Sequence, residues 1–556
     1  MVVLTAICGI SLAGSALGGT EGSTNSAAYP VPDPVLSLML EKGMITEDEA
    51  NKVQAQVDAR RTNMAAEMAA QYAPPPSQWI LSAGIKDVEL FGDIRLRYED
   101  REETDPGGFV NPASIKPAKP GKKAPPKTYL PPGDIDLDRI RYAFRVGLRG
   151  DAYDDFYYGF RMDTSSNPRS SWVSMGTSSS GTYQGPFGKS TGGINVGEIY
   201  LGWHPESWLD VTFGKMPNPL FTSSMVWSPT ITPEGAAEHL KFGIGPVDLF
   251  ANAGQFLYYD TNPELATSDY FNPLNDNSGS LPFLMAAQGG ADIHFTKRID
   301  LKAAGGLYWY TGLNNGKPPG NNYDPYPGFA DVYVGQGTTT GVTGTSAYDN
   351  YAPVGAGFDG FASDETGIND LLVLEIPFEF TVKFKKVDVR AFGDYAKNLE
   401  GSQRALAAYE ASHSSYFSLT GLGGYTIDPI SAPQYKDDNA YQFGLAVASS
   451  DGLGLVNGVT AKRHAWEIRS YWQHVEQYAL DPNLIDTDFF EGAENLEGLY
   501  VAAAFGFTSN FIVTVRYGHA YRINNKLGTG GSGQDIPQMN PINHFDLFQA
   551  DLTFKF

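Results

Sequence analysis

The chain has 556 residues, with 40 Lys and Arg against 63 Asp and Glu and a formal net charge of −23. That balance argues against nucleic acid as the main partner, and no run of about 18 apolar residues follows the N-terminus, so no helical membrane span is expected. The length exceeds that of a usual single soluble domain, while 31 Tyr, 32 Phe and 62 Gly suit a protein of strands and turns.

Val2 to Leu17 is apolar, rich in small residues, and ends Ser15-Ala16-Leu17-Gly18, so residues 1–18 read as a signal peptide. Nothing charged precedes Glu21; either the basic n-region lies upstream of Met1 or the segment is not a signal, and the first is the expectation. The single cysteine, Cys8, lies inside this stretch and outside any good lipobox, so neither a lipid anchor nor a disulfide is expected. Residues 30–72 carry helical periodicity. Val35, Leu36, Met39 and Leu40 form a stripe, Gly43 ends that helix, and Thr46-x-x-Glu49 has the form of a capping box opening the next. Arg60 and Glu67 interrupt the heptads, which leaves two readings open: a solvated amphipathic helix, or a short periplasmic coiled coil at a trimer axis. A proline-rich linker, 73–87, follows.

From Val88 the period becomes two. Leu90, Ile94, Leu96 and Tyr98 alternate with Glu89, Asp93, Arg95 and Arg97, and Ile140, Tyr142, Phe144 and Val146 with Arg139, Arg141 and Arg145. The pattern recurs at 156–163, 196–204, 208–215, 238–244, 247–256, 287–296, 299–310, 371–382, 386–396, 439–448, 464–475, 496–507, 510–522 and 544–556, about sixteen strands in all. Connections of a few residues, of which only 449–463 is longer, alternate with long ones at 100–135, 164–195, 216–237, 257–286, 311–370, 397–438, 476–495 and 523–543. Such sorting is what a transmembrane barrel with periplasmic turns and external loops produces. In the last strand, Phe548, Ala550, Leu552, Phe554 and Phe556 share one face and Gln549, Asp551, Thr553 and Lys555 the other. A chain ending this way resembles the terminal strand of bacterial outer-membrane barrels, in which the last strand pairs with the first and its final aromatic, here Phe556, is read by the insertion machinery.

After Phe213 comes GKMPNPLFTSSMVWSPTITPEGAA, Gly214 to Ala237. Together with KGMITEDEA at 42–50 and GDIRLRYED at 92–100, this run resembles the putative-porin family of outer-membrane proteins. Ser228 stands where that family tends to carry an acidic residue. The resemblance implies an outer-membrane location and a water-filled channel for passive diffusion of small hydrophilic solutes and ions. The alternative is a structural or anchoring protein whose channel is incidental.

The expected fold is therefore all-β, a closed antiparallel barrel of about sixteen strands over 88–556 with a short N-terminal helical segment and both termini in the periplasm. Parity directs Arg95, Arg97, Arg139, Arg141, Arg145, Arg149 and Arg161 into the bore, with Arg390, Arg469 and Arg516 among Glu375, Glu379 and Asp388 on later strands. These form either an anion-drawing wall or a set of ion pairs that brace it, and the second is the expectation. Pro217, Asn218, Pro219, Phe221, Trp227 and Glu234 are constriction candidates, because prolines stiffen that third long loop and its aromatics need something to pack on. Lys116, Lys119, Lys122, Lys123 and Lys127 read as a solvated external loop. The eight histidines are scattered and no HExxH, paired Cys/His set or GxSxG occurs, so no catalytic residue, metal or cofactor is expected. Outer-membrane lipid, the insertion machinery and transported solutes are the expected partners. Small outward residues at 286–291, 303–305 and Ala503 favour a homotrimer.

Overall fold

The computed structural model describes residues 84–104, 134–164, 170–176, 193–258, 283–311, 371–412, 430–529 and 542–556, with short pieces between 38 and 56. The signal segment, most of the helical segment and linker, and the five lysines of the first long loop lie outside the described residues.

Sixteen long strands form one closed antiparallel barrel. They are β1 Glu89–Thr104, β2 Ile135–Asp151, β3 Phe156–Thr164, β5 Ile194–Glu206, β6 Leu209–Lys215, β7 Glu234–Ile244, β8 Val247–Leu257, β9 Phe283–Thr296, β10 Ile299–Thr311, β11 Leu372–Lys383, β12 Val387–Asn398, β13 Asn439–Ser449, β14 Trp466–Val475, β15 Leu496–Gly506, β16 Phe511–Arg522 and β17 His544–Lys555. A two-residue strand, β4 Val173–Ser174, resumes pairing with β2 where β3 stops. β17 closes on β1, with Leu96 opposite Leu552 and Arg97 opposite Asp551. Phe556 completes the seam, since its N–H donates to the Gly92 carbonyl at 3.1 Å and its carbonyl accepts from the Gly92 N–H at 3.0 Å. Its ring lies over Gly92, where a Cβ would fall 2.7 Å from the ring, so only glycine fits there.

Parity holds the wall in register. Ile94, Leu96, Ile140 and Leu445 face outward and are 46%, 41%, 51% and 50% exposed, whereas Asp93, Arg97 and Glu99 on the other face of β1 are buried. A charge turned to lipid at mid-bilayer would cost roughly 2–4 kcal/mol, so a one-residue slip is strongly opposed.

Several strand boundaries differ from the sequence expectation, among them the start of β9, at Phe283 rather than 287. β1 runs on to Thr104 and β2 begins at Ile135, because the charges of Glu99–Glu103 are bore-facing or rim-facing and find partners there: Arg101 bonds Glu99 at 3.3 Å and also pairs with Glu491. β7 begins at Glu234 rather than 238, pairing Glu234 with Lys215 of β6.

The bore is not an open tube. Two long connections, 216–233 and 476–495, and one turn, 450–465, fold inward. Met216, Met225, Trp227, Leu455, Leu480 and Phe489 join wall residues such as Leu284 and Leu496 in one buried apolar cluster.

The N-terminal pieces have their own local logic. Gly43, at φ +64°, lets the Met44 N–H reach back to the Met39 carbonyl at 2.9 Å and end a helix. The Thr46 N–H donates to Glu49 Oε2 at 2.9 Å and the Glu49 N–H to Thr46 Oγ1 at 3.4 Å, a reciprocal capping box.

Candidate functional site

The connection 216–233 is latched to the wall formed by β9, β11 and β12. The Phe221 N–H donates to Gln288 Oε1 at 2.9 Å and its carbonyl accepts from Gln288 Nε2 at 2.7 Å. Thr222 Oγ1 donates to Glu375 at 2.5 Å and Ser223 Oγ to Asp394 at 2.6 Å. Both carboxyls are buried, and Tyr308 also donates to Glu375. Lys302 stands 4.2 Å over the Phe221 ring. Trp227, 3% exposed, donates from Nε1 to the Ile231 carbonyl at 3.1 Å, which shapes the tip of the loop.

The connection 476–495 enters beside it and bonds it directly. The Ser228 N–H donates to the Leu484 carbonyl at 2.6 Å, and the Asp486 N–H to the Ser224 carbonyl at 3.1 Å. Tyr258 and Tyr310 from the wall donate to Asp481 at 2.8 and 2.6 Å. Phe489 packs among Tyr471, Tyr500 and Phe545, with its ring against Gly518 of β16.

A cavity of about 430 Å³ remains between these segments and the strands that close the barrel. Arg95, Arg97, Arg469 and Arg516 line it from the wall, the hydroxyls of Thr222, Ser223 and Ser224 from one segment, and Asp486 and Asp488 from the other. Each of these arginines has an acidic partner. Arg97 makes a bidentate pair with Asp551 at 2.7 and 2.9 Å, donates to Asp488 at 2.8 Å, and lies 4.1 Å over the Trp172 ring. Arg516 shares Asp551, Arg95 bonds Asp93 at 2.8 Å, and Arg469 bonds Glu467 at 3.0 Å. Burial and the neighbouring Asp488 carboxylate push Asp486 up to about 7, while Arg97 and Arg516, against the cost of burial, hold Asp488 well below the usual carboxylate range.

The remaining expected residues are dispersed. Arg139 and Arg141 reach Glu99 at 2.7 and 3.4 Å, Arg145 reaches Asp93 at 3.0 Å, and Arg161 bonds Asp163 at 2.7 Å as well as Glu198. None of these four lines the cavity. Arg149 pairs with Glu89 at 2.6 Å at the exposed turn end, and Arg390 pairs with Glu379 at 3.1 Å. Asp388 is buried under the turn after β13, where it accepts the Asp451 N–H at 2.7 Å. Within the loop, Asn218 Oδ1 caps the Leu220 N–H at 3.0 Å and Asn218 lines the cavity, whereas Pro217 is exposed and Pro219 half-buried. Glu234 is a correction. It lies in β7 on the opposite parity from buried Ala237 and bonds Lys215 at 2.6 Å at the rim, outside the constriction.

Four contributors escaped the sequence reading: Asp551, Asp488, Trp172 and the turn 450–465. Parity already turned Asp551 inward. The apolar content of Tyr478, Leu480, Ile485, Phe489 and Phe490 was a legible sign that 476–495 is no solvated loop.

No curated protein matches the chain in sequence. Among solved structures, the outer membrane channel DcaP of Acinetobacter baumannii is 10% identical over 86% of this chain and 99% of that one, with a TM-score of 0.36. OmpF of Salmonella typhi, solved with daunomycin, is 9% identical over 86% and 99%, with a TM-score of 0.37. A porin of Rh. blastica is 8% identical over 84% and 100%, at 0.32. The family described as putative porin matches residues 76–556, the entire barrel and the segment leading into it. With a closed sixteen-stranded wall, an apolar outside and a charged, loop-narrowed inside, the chain belongs to the putative-porin family of outer-membrane channels.

Proposed function

We propose that small hydrophilic solutes and ions diffuse passively through this barrel by way of an eyelet formed between the segments 216–233 and 476–495 and the wall arginines. The observation that carries this reading is the cavity itself, in which Arg95, Arg97, Arg469 and Arg516 share the lining with Asp486 and Asp488 among aromatic neighbours such as Trp172 and Phe221. Because these arginines are ion-paired, the wall is read as braced rather than as an anion filter, and passage is governed chiefly by cross-section. Arg141 and Arg145, paired with Glu99 and Asp93, are read as bracing residues too. No catalytic role is proposed for any residue.

In the same reading the short-turn end, which carries both barrel termini, faces the periplasm, Phe556 serves the insertion machinery, and residues 1–18 direct export. A homotrimer is proposed to form through the flat outward face of β8–β10, where Ala251, Gly289 and Gly305 lie side by side in register. The crowded bore favours one second reading, a structural or anchoring protein whose channel is incidental. Swelling of liposomes loaded with sugars of graded size separates the two. Admission of small sugars with a sharp cutoff supports the diffusion channel; vesicles that admit none support the anchoring role.

A further inference from the structure

The turn between β13 and β14 differs from every other connection at its end of the barrel. Those between the other described strands there are two to four residues long, whereas this one spans 450–465. It does not hang into solvent. A single 3-10 turn, Leu455–Asn457, is bracketed by Gly454 at φ +95° and Gly458 at φ +79°, which fold it back into the bore. Leu455 and Val456 are 1% and 4% exposed, so the tip is packed as firmly as a core residue.

The wall is built to receive this tip. Glu467 of β14, fully buried, accepts the Val456 N–H at 2.8 Å. Basic side chains from three strands take its acceptors: Arg516 donates to the Val456 carbonyl at 3.3 Å, Arg469 to Asn457 Oδ1 at 3.4 Å, and Lys555 to the Gly458 carbonyl. Two of those cations, Arg469 and Arg516, also line the cavity, as do Val456, Asn457 and Gly458 themselves. Asn457 remains exposed next to the buried Leu455 and Val456.

We propose that this turn narrows the same cavity from the end opposite the two long connections, and that Asn457 is a specificity-determining residue for solutes in transit. Its acceptors are occupied by the wall cations, so the turn offers a solute an uncharged amide and a fixed edge. It discriminates by cross-section and hydrogen bonding, and it favours neutral polar solutes such as sugars over bulky ones of either charge. The inference rests on the diffusion-channel reading above.

Two variants test it in planar bilayers. In a Cys8→Ser background, Asn457→Cys is exposed to a cationic thiosulfonate during single-channel recording. Expected are stepwise falls in conductance of about a third or more, because an added ammonium-bearing arm both fills and charges a narrow passage. Replacing residues 452–463 by Asn-Gly should raise conductance about twofold and admit larger sugars, because a two-residue hairpin leaves that end open. Unchanged conductance after labelling verified by mass overturns the proposal even if the shortened turn fails to fold. Wild-type protein that conducts nothing overturns the diffusion-channel reading and this inference with it; conducting wild-type protein with insensitive Asn457→Cys overturns this inference alone.

Discussion

Arg97 and Asp551 show how charges are kept inside a membrane barrel. Both are 3% exposed, and the fork geometry of the pair fills two donors while Asp488 takes another. Asp551→Ala would take from Arg97 and Arg516 the carboxylate they share, leaving Arg97 with Asp488 at 2.8 Å and the more distant Glu99 at 3.8 Å. Breaking such a buried pair costs roughly 3–5 kcal/mol, so the urea midpoint of the vesicle-inserted barrel should fall clearly. Glu89→Ala, which removes an exposed partner of Arg149, should leave the midpoint nearly unchanged. Equal shifts for the two variants would show that the Asp551 site is open to water. Asp486 offers a second test at this scale. Its carboxyl is raised to about 7 by burial and by Asp488, so it is protonated in acid and adds a negative charge to the eyelet as pH rises through neutrality. Cation preference, read as reversal potential in a salt gradient, should therefore increase between about pH 5 and about pH 9, and most at low ionic strength. Among the described residues, no histidine lines the cavity to compete for that assignment. In Asp486→Asn the profile should be flat over the same range.

The elements divide into those that lipid disciplines and those it does not. Every long strand was legible because a residue facing hydrocarbon and its neighbour facing the bore must differ, and that rule writes a period of two into the sequence. Connections carry no such rule. Segment 216–233 was legible as ordered through its prolines and aromatics, but its partners Gln288, Glu375 and Asp394 are scattered over three strands and cannot be paired from sequence. Glu234 was misplaced because a strand end and a loop end look alike where parity runs for two residues only. Segment 476–495 passed for external because its apolar residues follow no strand or helix period. Deletion of 221–231 should raise single-channel conductance and the sugar cutoff together, since it removes the eyelet's hydroxyl side and the contacts that Ser228 makes to Leu484. Unchanged values would place the eyelet elsewhere. Gly518→Val tests the neighbouring segment without touching it. A Cβ at 518 would fall 2.5 Å from the Phe489 ring, so Phe489 must leave its notch, and 476–495 should become open to protease while the barrel stays intact. Persistent protection would show that the segment is held by Asp481 and its two tyrosines instead.

At the scale of the whole molecule, a sixteen-stranded wall has apolar surface all round, so the hydrophobic effect alone cannot choose a contact face in lipid. Packing can. On β8, β9 and β10, Ala251 stands beside Gly289 and Gly289 beside Gly305, with Ala253, Ala287, Ala291 and Ala303 around them. This patch is nearly flush with the backbone, so a second barrel can approach it more closely than it can approach the Leu, Ile and Phe elsewhere on the wall. The two glycines allow a clean perturbation, because a Cβ built at Gly289 or Gly305 meets nothing within 4 Å and neither position has positive φ. Gly289→Leu with Gly305→Leu therefore adds side chains that point only into lipid, at no cost to the wall itself. The doubly substituted protein should insert, resist heat as a folded barrel and conduct like wild type per channel, yet run as a monomer in native mass measurement, where the proposed interface requires wild type to run as a trimer. Replacing exposed Leu499 and Val515 by Ala should leave the oligomer unchanged. A trimer that survives both leucines would remove β8–β10 as the interface and leave the N-terminal helical segment as the element to test next.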